Sequence, residues 1–152
     1  MGTYQADLAR EAKLRTVVDE LFAAIVAKDV GTIMSHYLPE DRLLIFLEGP
    51  TSTVEGWDET FLHSAWSELL EIVTFSNLQV AQNTQVRCDG STGWVCGEVT
   101  TTYGKISDLP TEHRSVLSRG TWLFEEVAGR WYIAAEHVSF AVPNPYPLDS
   151  KE

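Results

Sequence analysis

The stretch from Ser115 to Phe140 reads SVLSRGTWLFEEVAGRWYIAAEHVSF and predicts two strands joined by a tight turn at Ala128-Gly129. Both runs carry apolar side chains on both faces, which is typical of strands that are covered on both sides. Arg119, Glu136 and His137 interrupt this apolar surface. A charged residue in such a ribbon must be paired, line a cavity or lie at an interface. The hairpin therefore indicates where a site lies.

The turn also predicts which side chains share a face of the hairpin. A two-residue turn pairs Val127 with Arg130 and, in unbroken strands, places Thr121 opposite Glu136. One face then holds Leu117, Arg119, Thr121, Leu123, Ala134, Glu136 and Val138, and the other holds Trp122, Phe124, Trp131, Ile133 and His137. Because the second set is larger and more aromatic, we expect it to face a partner and the first set to line a cavity. A slip of one residue would exchange the two faces.

The composition is that of a single globular domain. The chain has 152 residues, of which 44% are hydrophobic, with five Trp, five Tyr and six Phe. A chain of this length buries roughly 70% of the surface that its unfolded state exposes, so a sizeable core is expected. We predict one domain over residues 1–142 and an extended, proline-rich tail over residues 143–152.

Charge and cysteine usage argue against several classes of partner. Eleven basic and twenty-two acidic residues give a formal net charge of −11, which repels nucleic acid and anionic lipid. Cys88 and Cys96 lack the spacing of a metal site. No apolar run has the length of a signal-peptide core at the N-terminus or approaches the roughly 20 residues of a membrane helix. We therefore expect a cytoplasmic protein that binds neither nucleic acid nor a membrane.

Helical patterns dominate the first part of the chain. From Leu8 to Val26 apolar residues recur every three or four positions, which predicts an amphipathic helix. Asp29 can cap a second, short helix that Pro39 ends. The apolar run Leu43–Leu47 and the segment Thr51–Glu55 predict two short strands.

The second part of the chain predicts a sheet. Gly56 precedes a third helix that runs to about Val73. Alternating apolar and polar residues then predict successive strands up to Phe140, arranged as an antiparallel meander. A long loop from Gly104 to Arg114 lies between two of them. This order of elements predicts an α+β fold.

The end of the chain resembles a known superfamily. Arg119-Gly120-Thr121, Gly129–Ile133 (GRWYI) and His137-Val138-Ser139 resemble the R-x-T, G-x-W-x-I and H-x-S succession of SnoaL-like proteins and of the kinase association domain, in the nuclear transport factor 2-like superfamily. The resemblance implies the order α-α-β-β-α-β-β-β-β and a curved, cone-shaped sheet wrapped around a long N-terminal helix. It further implies an apolar pocket and a homodimer through the outer face of the sheet.

Arg119 and Glu136 are the main candidates for chemistry. Facing the pocket, Arg119 would orient an anionic or carbonyl-bearing ligand, and Glu136 would act as a general base or as an orienting partner. A buried ion pair between them is an equally good interpretation. The predicted ligand contacts are Arg119, Tyr37, Phe22, Thr121 and Val99, and the predicted interface residues are Trp122, Phe124, Trp131 and His137.

Glu48 is a second candidate base. In the steroid isomerases of this superfamily a catalytic carboxylate stands just before a proline at the end of the first strand. This chain has Glu48-Gly49-Pro50, so the acid lies one position early. A carboxylate beside Phe46 could have its pKa raised by desolvation and transfer protons. A plain turn residue is the alternative.

Motifs for other chemistries are absent from the sequence. It contains no metal-ligand spacing, no glycine-rich phosphate loop and no nucleophile elbow, so we expect neither a metal nor a cofactor. Three functions stay open. The first is binding of a small, mostly apolar molecule. The second is isomerase, cyclase or dehydratase activity with a pocket carboxylate as general base, and the third is an association module.

Overall fold

The computed structural model describes residues 5–47 and 53–140. Its three helices are α1 (Leu8–Val26), α2 (Val30–Ser35) and α3 (Glu59–Ile72). Each begins after an aspartate whose carboxylate accepts a hydrogen bond from the backbone N–H three residues later, and these caps are Asp7, Asp29 and Asp58. Among the described residues, no helix is both long enough and apolar enough to cross a membrane.

Seven strands form one sheet in the described part of the chain. They are β1 (Leu44–Phe46), β2 (Thr53–Glu55), β3 (Val73–Val80), β4 (Gln85–Asp89), β5 (Thr92–Lys105), β6 (Arg114–Val127) and β7 (Arg130–Phe140). Their order is β2-β1-β7-β6-β5-β3, with β4 also paired to β5. All pairs are antiparallel except β1 with β7. The concave side packs against α1, so the predicted α+β fold with a sheet wrapped around the first helix is confirmed.

The sheet after α3 contains one more strand than the resemblance predicts. β3 pairs with residues 99–105 of β5, and β4 pairs with residues 92–96 of the same strand. A turn over residues 81–84 separates the two, closed by a hydrogen bond from the Thr84 N–H to the Ala81 carbonyl. β3 and β4 therefore share one place in the order of strands.

The predicted hairpin turn is confirmed, but the pairing beyond it is not. Ala128 and Gly129 both have positive φ, and Val127 pairs with Arg130. The register then shifts, because Phe124 pairs with Ile133 while Leu123 pairs with Ala135. Ala134 is thus an extra residue in β7, a β-bulge.

The structure corrects the predicted pairing and the predicted inward face of β6. Trp122, rather than Thr121, lies opposite Glu136. On β6, Trp122 and Phe124 are buried, whereas Leu117 and Leu123 are 50% and 47% exposed, so the prediction that their face lines a cavity is wrong.

On β7 the face that points inward changes at the bulge. Ile133 and Glu136 are both buried although they are three residues apart, whereas in a regular strand that spacing places side chains on opposite faces. Glu136 therefore faces the interior and His137 is exposed.

Gly120 makes room for the indole of Trp122. A Cβ atom at Gly120 would overlap the six-membered ring of Trp122. The indole therefore lies across its own strand, over the glycine, and is fully buried. Because Gly120 has no side chain, the ring of Trp122 can take the position from which its N–H reaches Glu136.

We expect Gly120→Ala to lower the free energy of unfolding by about 1–3 kcal/mol, because an added methyl group must displace a packed ring. Urea denaturation measures the change. The matched control is Gly31→Ala in α2, where the nearest atom to an added Cβ is an Asp29 carboxylate oxygen at 3.7 Å. There stability should be unchanged or higher by up to about 1 kcal/mol. Equal losses in both variants would contradict the packing argument.

Candidate functional site

A cavity of about 100 Å³ lies between α1, α3 and the concave side of the sheet. Apolar side chains make most of its wall, including Phe22 of α1, Trp66 of α3 and Val99 of β5. Its polar wall residues are Thr101, Ser118 and Glu136, besides the indoles of Trp66 and Trp122. An apolar cavity with a few polar groups is the usual form of a small-molecule site.

Glu136 is the acidic residue in this wall, and two donors converge on it. The Tyr37 hydroxyl and the Trp122 indole N–H each donate to Oε2 of Glu136 at 2.9 Å. All three side chains are buried, with Glu136 5% exposed. An indole N–H can only donate, so the oxygen that receives it acts as an acceptor. The arrangement suits a carboxylate.

Backbone pairing positions Tyr37 behind Glu136. Tyr37 follows α2 and forms an isolated parallel bridge with Ile133 of β7. The Ile133 N–H donates to the carbonyl of His36 at 2.8 Å, and the Leu38 N–H donates to the carbonyl of Ile133 at 2.9 Å. Tyr37 is thereby fixed beside Ile133, which precedes Glu136 by three residues in β7, on the other side of the bulge.

Packing positions Trp122. It lies directly opposite Glu136 in the β6–β7 ladder. Its ring meets Phe22 of α1 edge to face, with ring centroids 5.7 Å apart. The close approach over Gly120 holds it from the other side. Strand register, an aromatic contact and a glycine together aim the indole N–H at the carboxylate.

The electrostatics keep Tyr37 in its protonated form. Burial raises the pKa of Tyr37 well above its ordinary value, and the negative charge of Glu136 and the hydrogen bond to it raise the pKa further. Since its O–H is used by Glu136, Tyr37 is a positioning residue. It does not reach the cavity wall as a ligand contact.

The other predicted ligand contacts divide into two groups. Phe22 and Val99 line the cavity, and their contact with a ligand stays a prediction. Arg119 and Thr121 do not, because on β6 the residues that face inward are Ser118 and Trp122. Arg119 is exposed opposite Glu98 on the outer face, and the Thr121 hydroxyl lies 3.4 Å from the Cys96 thiol there. The predicted cavity position of Arg119, and with it the Arg119–Glu136 ion pair, is wrong.

Three of the four predicted interface residues are in the core. Trp122, Phe124 and Trp131 are buried, with Arg10 stacked over the Trp131 ring at 5.1 Å. His137 lies on the exposed face beside Phe46. The predicted homodimer and the association-module alternative stay predictions.

Two predicted features, the candidate base Glu48 and the proline-rich tail over residues 143–152, lie outside the described residues. Across residues 5–47 and 53–140, no cluster of three or more His, Cys, Asp or Glu side chains could hold a metal ion.

Sequence reasoning missed Trp122 as a donor to Glu136 and Ser118 as a cavity residue. The pairing of Trp122 with Glu136 follows from the bulge at Ala134, and Ala134-Ala135 carries no glycine or other signal that would reveal it. Ser118 was missed for another reason: it shares the aromatic face of β6, which was expected to meet a partner and instead packs into the core. Trp122 could have been found through Gly120, since a glycine within a strand often marks a close approach.

Replacing Tyr37 by Phe should lower the free energy of unfolding by about 1.5–3 kcal/mol, because a buried charged acceptor loses a donor. Chemical denaturation at pH 7 measures the loss. Tyr132→Phe is the matched control: Tyr132 is half-buried under Arg130 and keeps its ring contact, so a change within about 0.5 kcal/mol is expected. Similar losses in the two variants would count against the network.

The raised pKa of Tyr37 gives a second readout of the same variant. An unfolded tyrosine loses its proton near pH 10, whereas folded Tyr37 keeps it. The stability that this difference contributes is complete below about pH 10 and is lost as the pH rises towards the folded pKa. Above pH 10 the wild type should therefore lose stability more steeply than Tyr37→Phe. Parallel curves would overturn this assignment.

Solved structures with similar folds support the architecture. An NTF2-like protein of unknown function from Pseudomonas putida superposes with a TM-score of 0.70 at 17% identity, over 93% of each chain. A ketosteroid isomerase-like protein from Erwinia carotovora atroseptica gives a TM-score of 0.69 at 14% identity, over 88% of this chain and 97% of the other. A proposed dehydratase of the NTF2-like family from Streptomyces avermitilis gives a TM-score of 0.66 at 14% identity, over 89% of this chain and 98% of the other.

At these identities the structural likeness shows the fold alone. No curated protein matches the chain as a sequence relative. The sequence does match the SnoaL-like domain family over residues 14–143, which is most of its length. The chain therefore belongs to the SnoaL-like domain family, and its fold is NTF2-like.

Proposed function

We propose that this protein binds a small, mostly apolar and uncharged molecule in the cavity beside Glu136. One observation carries the proposal: a buried carboxylate, held by two donors, stands in a wall that is otherwise almost entirely apolar. Burying a carboxylate costs free energy even when it is hydrogen-bonded. A fold that only needed a core could use an apolar residue at this position.

The size of the cavity limits the ligand. Engineered apolar cavities of about 150 Å³ accept benzene, so a space of about 100 Å³ suits a short chain or part of a molecule with one small ring. A cleft of about 300 Å³ adjoins it, and the two share Leu47, Leu69, Phe75 and Thr101. The cleft gives the ligand a route in from the surface and room for a longer end.

Charge limits the ligand further. Among the described residues of the cavity wall there is no lysine or arginine, and Arg119 is on the opposite face of the sheet. A carboxylate ligand would therefore meet Glu136 without a compensating cation. The absence of a cation favours neutral ligands over the anionic ones that a cavity-facing Arg119 would have oriented.

A matched pair of compounds tests this proposal. Acetophenone should raise the melting temperature in a thermal-shift titration, while benzoate, which has a similar ring and a charge, should not. Arg119→Ala should respond to acetophenone as the wild type does, because Arg119 lies outside the cavity. Stabilisation by benzoate, or loss of the acetophenone response in Arg119→Ala, would contradict the proposed site.

Catalysis by Glu136 is a second candidate function, favoured by the position of its carboxylate in the cavity wall. The solved structures described as a ketosteroid isomerase-like protein and as a proposed dehydratase support this class. Glu136 would remove a proton from the carbon between a carbonyl and a C=C bond, and the electron pair would delocalise as a dienolate. The protonated Glu136 would return the proton to the far carbon, which moves the double bond into conjugation.

The conversion of cyclohex-3-en-1-one to cyclohex-2-en-1-one tests catalysis through the ultraviolet absorbance of the conjugated product. The wild type should accelerate it, and Glu136→Gln should lower the rate by a factor of about 100 or more. Tyr37→Phe should retain most of the wild-type activity, unlike Glu136→Gln, because Tyr37 only positions the carboxylate. A wild-type rate equal to that of buffer would leave binding as the function.

A further inference from the structure

Ser118 presents a buried hydroxyl that has no protein partner among the described residues. It lies in β6, is 1% exposed and lines the cavity. Its Oγ has no hydrogen bond in the described structure. Buried polar groups are almost always hydrogen-bonded, because an unpaired one costs the full desolvation penalty. An unpaired hydroxyl in a cavity wall therefore indicates a bond to something that enters the cavity.

Ser118 lies far from Glu136 along the sheet. It precedes Trp122, the residue opposite Glu136, by four positions, which is about 13 Å of strand. Its own neighbours across the ladders are Val99 and Phe140. Phe140 lines the outer cleft, so the hydroxyl lies at the end of the cavity that faces the cleft.

Thr101 strengthens this position. It follows Val99 by two residues on β5, so it faces the same side of the sheet and is a diagonal neighbour of Ser118. Its side chain lines both the cavity and the cleft, which places it at the neck between them. Two hydroxyl-bearing residues therefore stand together where a ligand would pass.

We infer that Ser118 is a ligand-binding residue that donates a hydrogen bond to the carbonyl oxygen of a neutral ligand at the neck of the cavity. The indole N–H of Trp122 is already used by Glu136. At the neck, the nearby donors to an acceptor on the ligand are therefore the hydroxyls of Ser118 and Thr101, while the indole of Trp66 lies in the wall that α3 contributes. The apolar body of the ligand then lies deeper, against Phe22 and Trp122. This inference rests on the binding function proposed above. It does not depend on catalysis by Glu136, because a carbonyl at the neck lies beyond direct reach of Glu136.

The test compares acetophenone with α-methylstyrene, in which a CH₂ group replaces the carbonyl oxygen. Calorimetric titration should show that Ser118→Ala raises the dissociation constant of acetophenone about tenfold and changes that of α-methylstyrene by less than about twofold. Ser115→Ala, on the exposed part of β6, is the matched control and should bind both compounds as the wild type does. Failure of both compounds to bind the wild type would refute the binding function itself. Equal binding of acetophenone to the wild type and Ser118→Ala would overturn only the role of Ser118.

The ligand-free protein gives an independent readout. Removing an unpaired buried hydroxyl should leave the melting temperature of Ser118→Ala unchanged or raise it, because its desolvation penalty disappears. A fall of several degrees would show that the hydroxyl has a partner of its own, such as a buried water, and would overturn the inference. This measurement needs no ligand, so it also separates a structural role from a binding role.

Discussion

The extra residue Ala134 in β7 is the constraint on which the rest of this site depends. Without it, Ile133 and Glu136 would face opposite sides of the sheet, since side chains alternate along a strand. With it, Ile133 joins the core and Glu136 enters the cavity wall. The same insertion sets Trp122 opposite Glu136. One bulge thus lets a single strand serve both packing and chemistry, which is why bulges recur beside functional sites.

A carboxylate at this depth requires compensation. Hydrogen bonds to charged groups contribute about 1.5–3 kcal/mol each, and Glu136 receives two from fully packed donors, Tyr37 and Trp122. Both donors are held by features remote from the carboxylate, a backbone bridge to Ile133 for Tyr37 and the space over Gly120 for Trp122. The site is therefore preorganised, and the contacts that hold it come from the segment after α2 and from β6 and β7.

Local signals predicted the frame of this molecule well. The apolar spacing gave the bounds of α1, Leu8–Val26, and Asp29 marked the start of α2. The turn at Ala128-Gly129 was readable because both positions need positive φ. The inward face of β6 was predicted wrongly because its aromatic side chains were assigned to a partner surface, whereas Trp122 and Phe124 pack into the core. The bulge at Ala134 in β7 could not be predicted either, since it is decided by tertiary packing and leaves no composition signal. Glu136 was predicted to face inward, and it does, but the predicted pairing with Thr121 that supported this is wrong, because the bulge pairs Glu136 with Trp122.

The polar groups of the cavity are arranged by kind as well as by place. The acceptor, Glu136, lies at the end closed by Tyr37 and Trp122, whereas the hydroxyl of Ser118 lies towards the cleft. A symmetric apolar molecule gains nothing from this division, but a molecule with an acceptor at one end gains orientation. Because a lost hydrogen bond in a dry site costs more than a gained one contributes, the arrangement discriminates mainly by penalising ligands that enter reversed or charged.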